Sequence, residues 1–448
     1  VVMRNTHYIQ RAFLVMALFI STSCKKDFLE TIPKDQQTEQ TSFRTYENFK
    51  TYSWGLYDLF VGYGQGPILT TANFLNDESV SDNIINTISF NSNPYAYQTA
   101  NVPASGGDWD FSYIRRVNIM LDNIDNSAMS VVEKDHWRSV GYLFRAGRYF
   151  ELLSKFGDVP WLENVVKDTD KDLLYAPRTE RNIVAQNILD NLLWAEEHIK
   201  PNGDGANTVN VHVVRAMISR FGLFEGTWRK YHGLSGEIPF LQASKNASMK
   251  LAASFPALMP NYDQIFASED LAGQPGIILY RSYAPGQNMH GIIRYMRTAA
   301  WYLDLTKDAV ESYLCNDGLP VSTSTVYAGD QTMNDEFRFR DRRLYYTVTP
   351  PYRVFTTNAS GTVVNQNTIY WTHTGVPEDR EFIDTMNAIS AAGHKRLPAL
   401  QWSGNVLRTM PHFALFNGGQ GFLPSQLGYF FYKHYNTITD ATGFVNTT

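Results

Sequence analysis

Apolar residues recur every three or four positions through residues 139–163, which is the period of an α-helix. They form one wide stripe made of Tyr142, Leu143, Ala146, Tyr149, Phe150 and Leu153. The opposite side is predicted to carry Arg145, Arg148, Glu151 and Lys155. Because Glu151 and Lys155 are one turn apart, we expect them to form an ion pair.

The same segment has a well-marked end and a place for close packing. Gly157 can adopt the left-handed backbone that closes a helix, and Pro160 cannot continue one. Ala146 and Gly147 are small enough for a second helix to approach closely. The pattern therefore predicts a long, buried helix that ends before Pro160.

Several other stretches share this period. They predict helices at residues 46–61, 108–125, 133–156, 180–198 and 211–229, and one more beyond residue 243. Asp108 and Thr179 are the expected N-terminal caps of two of them. Joined by short turns, such helices form antiparallel neighbours and predict helix-turn-helix repeats of the tetratricopeptide kind.

The remainder of the chain is irregular. Residues 73–107 are rich in Asn, Ser and Gly and predict a long loop, which in a compact domain is usually functional or disordered. After Tyr345, turns and short strand-like runs dominate, such as residues 344–348 and 428–432. The chain is thus predicted to be mostly α, with an irregular second part rich in loops and short strands.

The N-terminus has the features of a targeting segment. Residues 1–23 combine Arg4 and Arg11 with an apolar run at 12–20, which is too short to span a bilayer, since about 20 residues are needed. Small residues lead directly to Cys24, which is predicted to be lipidated, and residues 24–41 are predicted to be a polar tether. The alternative is a simple secretory signal. Cys315 is then expected to be a free, buried thiol.

Composition narrows the possible partners. The 448 residues carry a net charge of -5, with 44% hydrophobic and 19% charged residues, so nucleic acid is not an expected partner. Aromatic residues make up 14% of the chain, which supplies rings for a surface site as well as for the core.

Motifs for catalysis and for metal binding are absent from the sequence. No H-E-x-x-H, phosphate-binding loop or G-x-S-x-G occurs, and residues 196–198 (Glu-Glu-His) are predicted to be a solvated helix face. Residues 168–172 begin like a calcium loop, but Leu173 and Thr179 replace the required Gly and Glu. We therefore predict no metal, no cofactor and no catalytic residue. A glycoside hydrolase remains an alternative, because it needs only two carboxylates ~5 to 9.5 Å apart.

Several strings resemble those of the SusD/RagB family of glycan-binding lipoproteins. The first runs from Arg145 to Pro160 and has the form R-A-x-x-Y-F-x-L-x-x-x-F-G-D-V-P. It is followed by P-R-T-E-R-N-I-V-A-Q-N-I-L and I-S-R-F-G-L-F-E-G-T-W. Residues 305–321 resemble a second family signature. A third, usually R-D-P-R-L, is present at residues 340–344 with Arg342 in place of Pro.

The resemblance covers residues 15–435 and implies both architecture and function. It implies a tetratricopeptide-like scaffold at residues 42–240 and a ligand-binding region at 241–448, truncated before the final repeat helices or divergent there. It further implies an outer-membrane protein, anchored by acylated Cys24 and facing the exterior, that binds an oligosaccharide. Its partner would be a SusC-like TonB-dependent transporter, and it would not be an enzyme.

A sugar site needs rings that stack on C–H faces and polar groups that bind hydroxyls. The stretch 281–302 combines both in a loop that carries Gly and Pro. The predicted ligand-binding residues are Trp301, Tyr302, Tyr283, Asn288, Arg294, Tyr295, Tyr95 and Tyr97. Tyr63 and Phe74 are further possible walls. Core packing of these rings, or a helical scaffold without a sugar site, are the alternatives.

Overall fold

The computed structural model describes residues 42–63, 81–86, 106–268, 270–284, 290, 303–355, 381–386, 407–410, 429–431 and 433–434. The predicted signal segment, Cys24 and the tether lie outside these residues, and so does the predicted ending of the chain after Tyr435.

The described part is mostly α-helical, as the sequence predicted. Its helices are α1 Tyr46–Trp54, α2 Ser112–Asn123, α3 Val131–Phe156, α4 Lys171–Leu174, α5 Arg181–His198, α6 Val211–Tyr231, α7 Glu237–Ser254, α8 Gln264–Ala267, α9 Lys307–Glu311, α10 Met333–Phe337 and α11 Arg342–Thr347. A 3-10 helix, Gly55–Leu59, continues α1, and residues 381–386 are also helical. The long helices pack in sequence, α2 on α3, α3 on α5, α5 on α6 and α6 on α7, which is a helical-repeat arrangement.

Helix α3 is the centre of this array. Ser130 caps it, accepting a hydrogen bond from the backbone N–H of Glu133, whose side chain accepts one in return from Ser130. At the other end Gly157 closes the helix with a φ of 69° and a ψ of -106°, a positive-φ conformation that suits glycine but is not the left-handed helical one that was predicted. Tyr149 is fully buried in the core. The predicted stripe is therefore the core-facing side of α3.

The predicted polar side of α3 is wrong in two respects. Arg145 is only 4% exposed, and its guanidinium donates to Asn191 Oδ1 and to the carbonyl of Glu163. Its charge is tolerated because these acceptors satisfy its N–H groups. Glu151 pairs with Arg148 at 2.7 Å and not with Lys155.

Two predicted caps are also wrong. Helix α2 begins after Phe111, and Asp108 instead forms an ion pair with Lys155 at 2.7 Å. Helix α5 begins after Glu180, because the backbone of Thr179 forms an antiparallel bridge with Val159. In both cases the cap residue has a partner in another part of the chain, which a local pattern does not show.

The end of α5 differs from the predicted solvated face. Glu196 is largely buried and accepts hydrogen bonds from Arg215 on α6 and Lys250 on α7, both at 2.7 Å. One carboxylate thus ties three helices together. Helix α7 begins at Glu237, and the division of the chain near residue 240 stays a prediction.

The second half contains small sheets and short helices. Strand β1 Ile84–Asn86 pairs antiparallel with β2 Leu303–Leu305, and β3 Tyr352–Phe355 pairs with β4 Leu407–Met410. Residues 344–348, predicted as strand-like, lie mostly in α11. Phe430 and Phe431 do form bridges, with Asp304 and Val348, as expected of an extended run.

The second and third family-like strings are neighbours in space. Cys315 is a free, buried thiol as predicted, and its backbone bridges to Arg340. Buried Arg340 donates to the carbonyls of Val310 and Tyr313 and so closes the loop that follows α9. Arg342 is the first residue of α11, a position that favours Pro because its N–H needs no partner.

Candidate functional site

The loop predicted to bind sugar begins beside a cluster of buried rings. Tyr283 is 6% exposed and stacks on Tyr63 with ring centroids 6.1 Å apart, and His290 meets it edge-on at 4.5 Å. The Tyr283 hydroxyl accepts a hydrogen bond of 2.7 Å from the Tyr63 backbone N–H. Burial raises the pKa of Tyr283 above its ordinary value. The structure thus places Tyr283 in packing contact with Tyr63, the residue predicted as a possible second wall.

The other predicted ligand residues lie outside the described residues. These are Trp301, Tyr302, Asn288, Arg294, Tyr295, Tyr95 and Tyr97, together with Phe74. Their role as ligand contacts stays a prediction.

A cavity of about 580 Å³ opens where residues 278–282 lead into this loop. This volume lies within the range of ligand pockets, ~300 to 1,000 Å³. Its walls come from the end of α1, the following 3-10 helix, the middle of α6 and the 278–282 segment. Its rings and charges include Trp54, Tyr57, Asp58, Arg220 and Arg281.

Two hydrogen-bonded clamps hold the 278–282 segment against the helices. Asn207 has a φ of 53°, and its side-chain amide both donates to the Tyr280 carbonyl and accepts from the Tyr280 N–H. Arg281 Nη1 donates to the carbonyls of Phe60 and Val61 at 3.0 and 3.1 Å. Since Asn is one of the few residues that tolerate this backbone conformation, Asn207 fixes the cavity wall at small cost.

The cavity presents rings and charges in the same space. Trp54 is 59% exposed, so its indole is open to a ligand. The hydroxyl of Tyr57 accepts a hydrogen bond of 2.8 Å from the Val209 N–H, which fixes the orientation of its ring. Asp58 and Arg220 are polar neighbours of these rings. Such a combination suits a ligand that has both an apolar face and polar substituents.

Within the described ranges, no group of three or more His, Cys, Asp or Glu side chains is arranged to hold a metal ion. No helix of the described residues is long and apolar enough to cross a bilayer.

Comparisons with known proteins define the class of fold. No protein-family model and no curated protein sequence matches the chain. Solved structures do match, and they are SusD-like proteins. At these levels of identity the likeness shows the fold, so the SusD-like resemblance of the sequence is confirmed at the level of the fold.

Three structures illustrate the likeness. A SusD-like carbohydrate-binding protein from Bacteroides fragilis has a TM-score of 0.55 and 19% identity, over 72% of this chain and 62% of that one. A second SusD-like protein from Bacteroides fragilis has a TM-score of 0.54 and 19% identity, over 73% and 65%. A SusD superfamily protein from Parabacteroides distasonis has a TM-score of 0.50 and 16% identity, over 66% and 62%. The chain therefore spans less than two thirds of the length of these structures.

Sequence reasoning missed the cavity that precedes the loop. Trp54 is predicted only as part of the helix at residues 46–61, and Arg220 appears within a family-like string without a role of its own. A signal was available for Trp54, because it falls in the last turn of its helix next to Gly55. Arg220 offered none, since its exposed position on α6 follows from how α6 packs.

Proposed function

We propose that the protein binds an oligosaccharide at the cell surface and passes it to a SusC-like TonB-dependent transporter. The observation that carries this proposal is the SusD-like fold together with a ring-lined cavity at the start of the 281–302 loop. A solved structure of the same fold is described as a carbohydrate-binding protein, which supports the ligand class. The protein is proposed to be a binder and not an enzyme.

The sugar site is proposed to extend from the cavity into the loop residues. Trp301 is proposed as its main stacking ring, with Tyr302, Arg294, Tyr295, Tyr95 and Tyr97 as further ligand contacts. An exposed indole can contribute roughly 1 to 3 kcal/mol to a stacked ligand, by analogy with other aromatic platforms. That contribution is between about a quarter and about three quarters of the binding free energy of a millimolar site, which is about 4 kcal/mol.

Trp301→Ala tests this site. We expect loss of oligosaccharide binding in calorimetry, with the melting temperature unchanged, because a ligand ring does not hold the core together. Tyr175→Ala is the control, since Tyr175 is an aromatic residue that is 81% exposed and lines no part of the cavity. If Trp301 is a core ring, the substitution should cost ~3 to 5 kcal/mol of stability, and retained binding would refute the site.

The location of the protein is a further part of the proposal. Acylated Cys24 would anchor it to the outer membrane facing the exterior, with residues 24–41 as a tether. The helical-repeat face would supply the transporter interface, of ~1,600 Å² or more. Release of reducing sugar from a bound oligosaccharide would instead favour a surface glycoside hydrolase.

A further inference from the structure

The cavity carries a cation that has no partner in the described part of the chain. Arg220 lies on the exposed side of α6 and lines the cavity. Within the described ranges, no hydrogen bond or ion pair involves its guanidinium, whereas Arg215, on the same helix, is paired with Glu196. A guanidinium that is open to a cavity can bind a carboxylate through two parallel hydrogen bonds.

A second cation, Arg281, lines the cavity from the 278–282 segment. The two hydrogen bonds from Arg281 Nη1 go to backbone carbonyls, which hold the group in place but do not neutralise its charge. Its position is therefore fixed before any ligand arrives. A fixed charge loses little conformational entropy when it binds, and this favours affinity.

The lining of the cavity is positive although the chain is negative. Arg220 and Arg281 contribute two positive charges and Asp58 one negative charge, so the lining residues sum to +1. The whole chain has a net charge of -5. The Asp58 carboxylate also lies 3.8 Å from Arg116 Nη1, outside the cavity lining, which offsets part of its field. The cavity is thus a local site for an anion on an acidic protein.

The rings in the same cavity restrict the shape of that anion. Trp54 is 59% exposed and lines the cavity, and Tyr57 and Phe60 line it too. A flat or saturated ring can stack on the indole, while a small inorganic anion would leave this apolar wall uncovered.

We propose that this cavity binds a hexuronate unit, with its carboxylate on Arg220 and its C–H face on Trp54. The inference rests on the proposed glycan-binding function and adds the class of sugar. Arg281 supplies a second, fixed positive charge. Neutral hexoses would bind more weakly, because they leave the Arg220 guanidinium without an anionic partner.

Calorimetry or ligand-detected NMR with glucuronate, galacturonate, glucose and galactose tests this proposal. We expect the uronates to bind ~10-fold or more tightly than the neutral sugars, and to weaken as salt is added. Arg220→Gln should remove most of this difference and leave neutral-sugar binding within about twofold. Lys245→Gln is the control, because it removes one exposed positive charge from α7 outside the cavity.

Trp54→Ala adds a second test that does not depend on charge. It should weaken uronates and neutral sugars alike, with an unchanged melting temperature, since the ring is mostly exposed. Equal binding of glucuronate and glucose, or full selectivity in Arg220→Gln, would overturn the proposal. Binding of an aryl carboxylate such as benzoate, without any uronate binding, would overturn the sugar assignment.

The two proposals fail in distinguishable ways. If a neutral oligosaccharide binds and Trp301→Ala abolishes that binding, but uronates gain nothing from Arg220, the proposed function stands and the uronate site is refuted. If neither neutral nor acidic sugars bind, the glycan-binding function itself is refuted.

Discussion

The contact between α6 and α7 depends on two glycines that have no room for a side chain. A Cβ on Gly222 would lie 2.5 Å from the Phe240 carbonyl oxygen and 3.0 Å from the Ser244 nitrogen, both backbone atoms of α7. A Cβ on Gly226 would lie 2.6 Å from both Cγ and Cδ2 of the Leu241 side chain and 3.3 Å from the Glu237 carbonyl oxygen, so only a side chain lies closer than 3 Å. At Gly222, helix α6 therefore lies directly against the backbone of α7, with no side chain of α6 between them.

These distances predict an order of stability for Ala substitutions. At Gly222 the backbone of α7 must move, so overpacking should cost ~3 kcal/mol, the upper end of its usual range. Ala returns up to ~1 kcal/mol through its better helix propensity, which leaves a net loss of ~2 kcal/mol. At Gly226 the Leu241 side chain can rotate, and a cost of ~1 kcal/mol nearly cancels that gain.

Gly55 is the matched control for the same substitution. Its φ of -66° suits Ala, and a Cβ there would meet nothing within 4 Å. Gly55→Ala should therefore stabilise the protein by ~0.4 to 1 kcal/mol.

Urea unfolding of the three variants and the parent protein measures this order. We expect Gly55→Ala to be the most stable, Gly226→Ala to match the parent and Gly222→Ala to be the least stable, with similar dependence on urea concentration. Limited proteolysis should show that α7 is the element released first in Gly222→Ala. If Gly222→Ala is as stable as the parent, the close approach of α6 and α7 is not a constraint and the reasoning is wrong.

Two further predictions concern a buried charge and the membrane anchor. Glu225→Ala should lower the free energy of unfolding in urea by ~3 to 5 kcal/mol, because Glu225 is fully buried between Arg181 at 2.5 Å and Arg229 at 2.9 Å and both cations would lose their carboxylate partner. Glu197→Ala, at an exposed position, should cost almost nothing, and equal effects of the two substitutions would contradict this account. Cys24→Ala should move the protein from the membrane fraction to the soluble fraction without changing its melting temperature, and the absence of an acyl label on Cys24 would count against anchoring. Cross-linking of the unaltered protein in intact cells should capture an outer-membrane barrel, and the absence of a barrel partner would count against delivery.

Sequence reasoning worked where one physical rule decides the structure. The stripe that contains Tyr149 and Leu153 is buried as the 3.6-residue period requires, and Gly157 closes the helix through its positive φ. The family-like strings also contain packing information, because the glycines of I-S-R-F-G-L-F-E-G-T-W are Gly222 and Gly226. These features are local, or repeat along one helix, and so the chain displays them directly.

Sequence reasoning failed where a partner from a distant segment decides the outcome. Arg145 is charged and follows the polar pattern, yet it is buried because Asn191 and the carbonyl of Glu163 accept its hydrogen bonds. Asp108 has the chemistry of a helix cap, but Lys155 lies 47 residues further along the chain and takes its carboxylate. Polar residues therefore follow the pattern only while no distant group competes for them.

The cavity shows the same limit for function. Trp54 and Arg281 are separated by more than half of the described chain, and they share one space because Asn207 fixes the backbone of Tyr280 against the helices. No spacing in the sequence relates the exposed indole of Trp54 to the guanidinium of Arg220 on another helix. The clamp is equally hidden in the sequence, because Asn207 and Tyr280 lie 73 residues apart. Such a site can be identified only in the folded structure, because the packing of the helices sets the distance between its walls.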